Sequence, residues 1–84
     1  MLFNTEQYRR YLGSTIYNLR RSRSMSQDDI ANKTDLDRSY ISQIETGTTN
    51  ITINTLLKIG IALDTNPSTI LQLTEKELKN ASKS

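Results

Sequence analysis

The stretch QDDIANKTDLDRSYISQIETG, residues 27–47, decides how this chain folds. It reads as two short helical patterns joined by a tight turn at Asp35. Apolar residues fall at Ile30, Leu36, Ile41 and Ile44, and Ala31 is small where two helices must cross closely. The second pattern opens with Arg38-Ser39-Tyr40, so polar side chains stand at the start of a helix set steeply against its neighbour. That is the geometry that enters a DNA major groove. Arg38, Ser39, Ser42 and Gln43 occupy the positions between the apolar ones, and all four side chains can hydrogen-bond to base edges. The competing reading is an amphipathic helix whose polar face meets only water.

Working outward, residues 5–23 form one apolar stripe, with Tyr8, Leu12, Ile16 and Leu19 at helical spacing, and Gly13 weakens its middle. A second helix begins at Ser26, a good N-cap, with Asp29 placed to complete a capping box and Met25 placed to staple onto Ile30. Asp28 and Asp29 suit the positive end of that helix. Leu36, Asp37 and Ile41 repeat the device, and Ile51, Thr52 and Leu56 repeat it again. The fourth helix carries Ile53, Leu56, Leu57, Ile59, Ile61 and Leu63, apolar nearly all round, and is expected to be the central, most buried one. Asn66-Pro67 starts a fifth helix over about 67–73, and the polar tail over 75–84 either extends it or frays. The expected fold is all-α, five helices in one domain over 1–84, with the helix-turn-helix at about 26–46 and a dimerisation region at about 60–75.

Composition narrows the function. The chain has 84 residues, no Cys and no His, which removes a disulfide framework, a thiolate metal site and the usual general base. No catalytic constellation, metal site or cofactor is expected. No stretch approaches the length of a membrane span and no signal-peptide pattern opens the chain, so a soluble cytoplasmic protein is expected. Net charge is only +2, but Arg9, Arg10, Arg20, Arg21, Arg23, Lys33 and Arg38 all lie in the first half. Arg21, Arg23 and Lys33 are expected to steer DNA from a distance. Thr46, Gly47, Thr48, Thr49 and Asn50 precede a helix N-terminus and offer hydroxyls and free amides to a phosphate. Tyr40 is expected against the DNA backbone. Leu63, Ile70, Leu71 and Leu73 exceed what so small a core needs and are expected to form a homodimer face. The alternative is that they close the chain's own core.

The run Met25-Ser26-Gln27-Asp28-Asp29-Ile30-Ala31 and the ending Ile44-Glu45-Thr46-Gly47 resemble the phage-repressor-like helix-turn-helix (XRE/Cro) family, over roughly Leu12 to Leu71. Leu36-Asp37-Arg38-Ser39-Tyr40-Ile41-Ser42 and Asn50-Ile51-Thr52-Ile53 resemble the controller proteins of restriction-modification systems. The turn departs from the family, which has Gly where this chain has Asp35. The resemblance implies that Gln27 contacts a phosphate flanking the half-site. It also implies that Arg20 pairs with Glu45 and turns a guanidinium edge to the DNA backbone. It implies a homodimeric regulator that binds a pseudo-palindromic operator at its own promoter, with RNA polymerase as a further partner. A phage-type repressor, an antitoxin's DNA-binding subunit and a helical interaction module without DNA binding are the other readings.

Overall fold

The computed structural model describes residues 4–82, as five helices. They are α1 (Thr5–Ser22), α2 (Gln27–Thr34), α3 (Arg38–Thr46), α4 (Ile53–Ala62) and α5 (Pro67–Ser82). Local chemistry sets most of the boundaries. Asn4 caps α1 by accepting from the Gln7 amide at 2.7 Å. Ser26 and Asp29 form the reciprocal capping box of α2, at 3.0 and 2.8 Å. Thr52 caps α4 by accepting from the Thr55 amide at 3.0 Å. The capping pattern fails once: Asp37 stands at the N-cap position of α3, but its side chain makes no capping hydrogen bond. The turn between α2 and α3 is made by Asp35 in the left-handed region, at φ 58° and ψ 33°. A short polar side chain tolerates that backbone where glycine is the usual choice.

The core is one cluster of Leu12, Ile16, Ile30, Ala31, Ile41, Ile44, Leu56, Ile59, Leu63 and Ile70, with Met25, Leu36 and Ile51 half-buried against it. α1 packs on both α5 and α3, α2 packs on α3 and α4, and α4 also meets α5. The expectation that α4 is the central helix is therefore corrected. Its inner side is Thr55, Leu56, Ile59 and Gly60, while Ile53, Leu57 and Ile61 are 74, 46 and 82% exposed. A ten-residue helix held on one side by α2 and α5 buries a single stripe, however apolar its other side is. The long α1 takes the central place instead.

Two of the expected dimer residues are also corrected. Leu63 and Ile70 have no exposed surface and belong to the chain's own core. Leu71 is half-buried and Leu73 exposed. The reason lies in the tail, which continues α5 to Ser82 rather than ending it near Leu73. Ile70, Thr74 and Leu78, at spacings of four, all turn inward and lay α5 along α1. The Thr74 hydroxyl is 3.1 Å from the Thr15 hydroxyl and 2.8 Å from the Ile70 carbonyl, so this buried polar group is satisfied. Tyr8 of α1 donates its hydroxyl to Glu75 of α5 at 2.8 Å.

Gly13 has a use that its place in the sequence does not suggest. A Cβ there would run into the Ile44 carbonyl oxygen and lie 2.7 Å from that of Glu45. The backbones of α1 and α3 touch at this point, which fixes α3 on the scaffold.

Candidate nucleic-acid interface

The candidate surface is assembled from the N-termini of α2 and α3 and the loop after α3. Arg38 is the first residue of α3, and it is exposed along with Ser39 and Gln43, while Ser42 is half-buried. Ile41 and Ile44 on the opposite side hold the helix to the core, so the polar side is presented outward. Arg38 and Ser39 lie in the first turn, beside the amides that have no partner within the helix, and Ser42 and Gln43 lie one turn further on.

Behind that surface Arg20 and Glu45 meet as the family resemblance implied. Nε of Arg20 donates to Oε2 of Glu45 at 2.7 Å and Nη2 donates to Oε1 at 3.0 Å. Nη1 donates to the Met25 carbonyl at 2.8 Å. The guanidinium also lies 5.2 Å from the Tyr17 ring centroid. The Glu45 hydrogen bond holds the Arg20 pKa above its already high value, against the opposing effect of burial. Arg20 is only 6% exposed and each of its three nitrogens is engaged within the fold. Its place is that of a strut between α1, α2 and α3, not of a free phosphate ligand.

Gln27 joins the same knot. Its Nε2 donates to Glu45 Oε1 at 3.0 Å, so the first residue of α2 is oriented by the end of α3. Around it Arg20, Arg21, Ser24, Ser26 and Arg38 line a shallow polar hollow beside the α2 N-terminus. The capping hydrogen bonds from Ser26, backbone amide first, hold the Asp29 carboxyl below the usual aspartate range.

The loop after α3 is tied down more than its composition suggests. Gly47, at φ 74°, ends α3 with its Cα edge against the backbone of Arg10, where a Cβ would lie 2.7 Å from the Arg10 Cα. The Thr46 hydroxyl donates to the carbonyls of Ser42 and Gln43 at 3.1 Å, and the Thr48 hydroxyl reaches the Gln43 carbonyl at 3.3 Å. Those two hydroxyls close the helix end. Thr49 is half-buried and Asn50 exposed. Asn50 is held from two sides: its side-chain oxygen accepts from Arg9 Nη1 at 2.9 Å, and its carbonyl accepts from the Tyr40 hydroxyl at 3.4 Å.

Two residues here were not singled out from sequence. Arg9 was read only as one of several positive charges, yet it clasps the loop. It lies one turn before Gly13 on the side of α1 that meets the end of α3, and that register was the available signal. Asp28 was read only as a helix-start acid, yet its Oδ1 is 3.6 Å from Nε of Arg38. Arg23, expected to be a free steering charge, donates to the Thr65 hydroxyl at 2.9 Å.

Residues 16–70 match the helix-turn-helix family model. The control protein C.BamHI of Bacillus amyloliquefaciens is 39% identical over 71 residues, covering 83% of this chain and 88% of that protein. The chain belongs to the helix-turn-helix controller family. Solved structures agree with this membership. The restriction-modification controller protein C.AhdI from Aeromonas hydrophila is 33% identical with a TM-score of 0.71, over 73% of this chain and 92% of that one. The wild-type controller C.Esp1396I is 32% identical with a TM-score of 0.80, over 87% of this chain and 95% of that one. This controller-family chain is thus a DNA-binding transcriptional regulator built as a five-helix domain. Among the described residues no helix is long and apolar enough to cross a membrane.

Proposed function

We propose that two copies of this chain bind a pseudo-palindromic DNA site in the promoter of a restriction-modification operon that includes the chain's own gene. The observation that carries the reading is Arg38, exposed on the first turn of the second helix of the motif, beside exposed Ser39 and Gln43. An arginine there reads guanine O6 and N7 in the major groove, and Gln43 and Ser42 lie one turn further on. Gln27 and the loop at Thr49 and Asn50 take the flanking phosphates. Tyr40, held against Asn50, lies against the sugar-phosphate edge. The site of action is the cytoplasm, where that DNA lies. RNA polymerase is the further partner when the dimer sits directly upstream of it.

Support for the dimer comes from the outer side of α4. Ile53, Leu57 and Ile61 form a stripe at spacings of four, which the described residues leave largely exposed along the helix. A monomer this small also buries little of its surface, so pairing adds stability as well as symmetry. The proposed pairing surface is therefore the outer side of α4 rather than Leu63 and Ile70, while Leu73 lies beside Thr15, Asn18 and Leu19 of α1.

Footprinting on the native upstream DNA, with rising protein concentration, tests the reading. Protection of two half-sites about one helical turn apart is expected. Arg38→Ala should relax the selected sequence at one base pair per half-site. Protection only at unrelated DNA, with none upstream of the gene, would remove the controller role and leave a general DNA-binding regulator.

A further inference from the structure

The Asp28–Arg38 contact takes no part in holding the core. Asp28 is the second residue of α2 and Arg38 the first of α3, so the pair spans the turn at the candidate nucleic-acid surface. Oδ1 of Asp28 lies 3.6 Å from Nε of Arg38, with the two side chains 69% and 66% exposed. An ion pair so exposed is weak in the free protein. It gains strength where a groove wall excludes water around it.

The geometry of the contact matters more than its strength. A guanidinium has two edges that can make paired hydrogen bonds, one using Nε and one using the two terminal nitrogens. The Asp28 carboxylate stands on the Nε side at ion-pair rather than hydrogen-bond distance, which favours the terminal pair for guanine O6 and N7. A carboxylate at this place also meets the phosphates with the wrong sign, which weakens binding to every sequence alike. When Arg38 finds its guanine, the arginine lies between the carboxylate and the DNA and offsets that repulsion. On other sequences Arg38 gains no such contact, and the repulsion stands.

We propose that Asp28 is a specificity-determining residue that positions Arg38 for one guanine and penalises DNA lacking it. The proposal rests on α3 being the groove helix. It assigns to an acid at the start of α2 a role beyond the helix dipole, and it predicts that removing the acid makes the protein bind more DNA, less selectively.

The test is a competition assay with the full chain, comparing the sequence that it selects with a scrambled duplex of equal length. Asp28→Asn should bind the scrambled duplex several-fold more tightly. The specificity ratio should fall about three- to tenfold, part of what a bidentate arginine–guanine contact supplies. Asp28→Glu, which restores the carboxylate, should keep the ratio within about twofold. In an Arg38→Ala background, Asp28→Asn should leave the ratio unchanged, because there is no guanidinium to position. Circular dichroism and thermal melting of each variant check that the fold is kept. A ratio unchanged by Asp28→Asn, or one that falls equally with Arg38 absent, overturns the proposal. An unmutated chain with no preferred sequence overturns the groove reading itself, and that result differs from either.

Discussion

The Glu45 carboxylate lies edge to edge with the Arg20 guanidinium, Oε2 to Nε at 2.7 Å and Oε1 to Nη2 at 3.0 Å. Their side chains are 3% and 7% exposed. Through Gln27 Nε2 on Oε1 and Arg20 Nη1 on the Met25 carbonyl, this one pair fixes the end of α3 against α1 and the start of α2. The exposed polar start of α3 and the α2 N-terminus are set relative to each other by a buried charge pair as well as by apolar packing.

Removing either partner leaves the other charge buried and unpaired. Arg20→Ala and Glu45→Ala should each destabilise folding by about 3–5 kcal/mol in urea denaturation. The double variant should cost clearly less than the sum, because the stranded charge disappears. Arg20→Lys should not restore stability, since one ammonium cannot reproduce the forked contact and reach Met25 as well. Additive losses would mean that the two side chains act independently in solution.

The α4 stripe and the α5 core residues should respond differently to charge. Ile61→Asp and Ile53→Asp are expected to leave the helical content unchanged and to give monomers by sedimentation. Thermal stability should then cease to depend on protein concentration. Ile70→Asp should unfold the domain, since it places a charge at a fully buried position. An Ile61→Asp protein that still sediments as a dimer would exclude α4 as the pairing surface.

Gly13→Ala tests the contact between α1 and α3. In an ordinary exposed helix this change stabilises by up to about 1 kcal/mol. Here the new methyl meets the backbone oxygens of Ile44 and Glu45, which cannot turn aside as a side chain would. Destabilisation is expected, together with weaker DNA binding as α3 is pushed outward. A variant with a raised melting temperature would show that the helices do not approach so closely.

Tyr8 makes the fold sensitive to alkali. Burial first, and then its hydrogen bond to Glu75, push its pKa up from 10.0 to about 12. The folded state therefore favours the neutral phenol, a contribution fully present below pH 10 and lost as pH rises toward about 12. Tyr8→Phe should be less stable at neutral pH and should lose less stability across that alkaline window. Parallel stability-against-pH curves for the two proteins would show that Tyr8 does not titrate abnormally.

Much of this controller-family protein could be read along the chain. The capping box of Ser26 and Asp29, the cap at Thr52, the turn at Asp35 and the exposed start of α3 at Arg38 follow from interactions between residues within a few positions of each other. Local hydrogen bonding and helical periodicity are sequence properties, so they survive being read without a fold. The Arg20–Glu45 pair spans 25 residues and was reached only through resemblance to a family.

What remained was decided by how the helices pack. Periodicity shows that a residue is apolar, not whether another helix arrives to cover it. Ile61 and Ile59 look alike in sequence, yet one is 82% exposed and the other fully buried, because α2 and α5 reach only one side of α4. Leu63 and Ile70 read as surplus apolar residues in sequence, yet α5, extended through Thr74 and Leu78, lies along α1 and closes the core over them. The same holds for Gly13, Arg9 and Asp28, whose partners lie on other helices. Sequence thus determined the elements and the exposed polar start of α3, while the tertiary packing determined which apolar side of α4 stays uncovered and which charged side chains meet around α2 and α3.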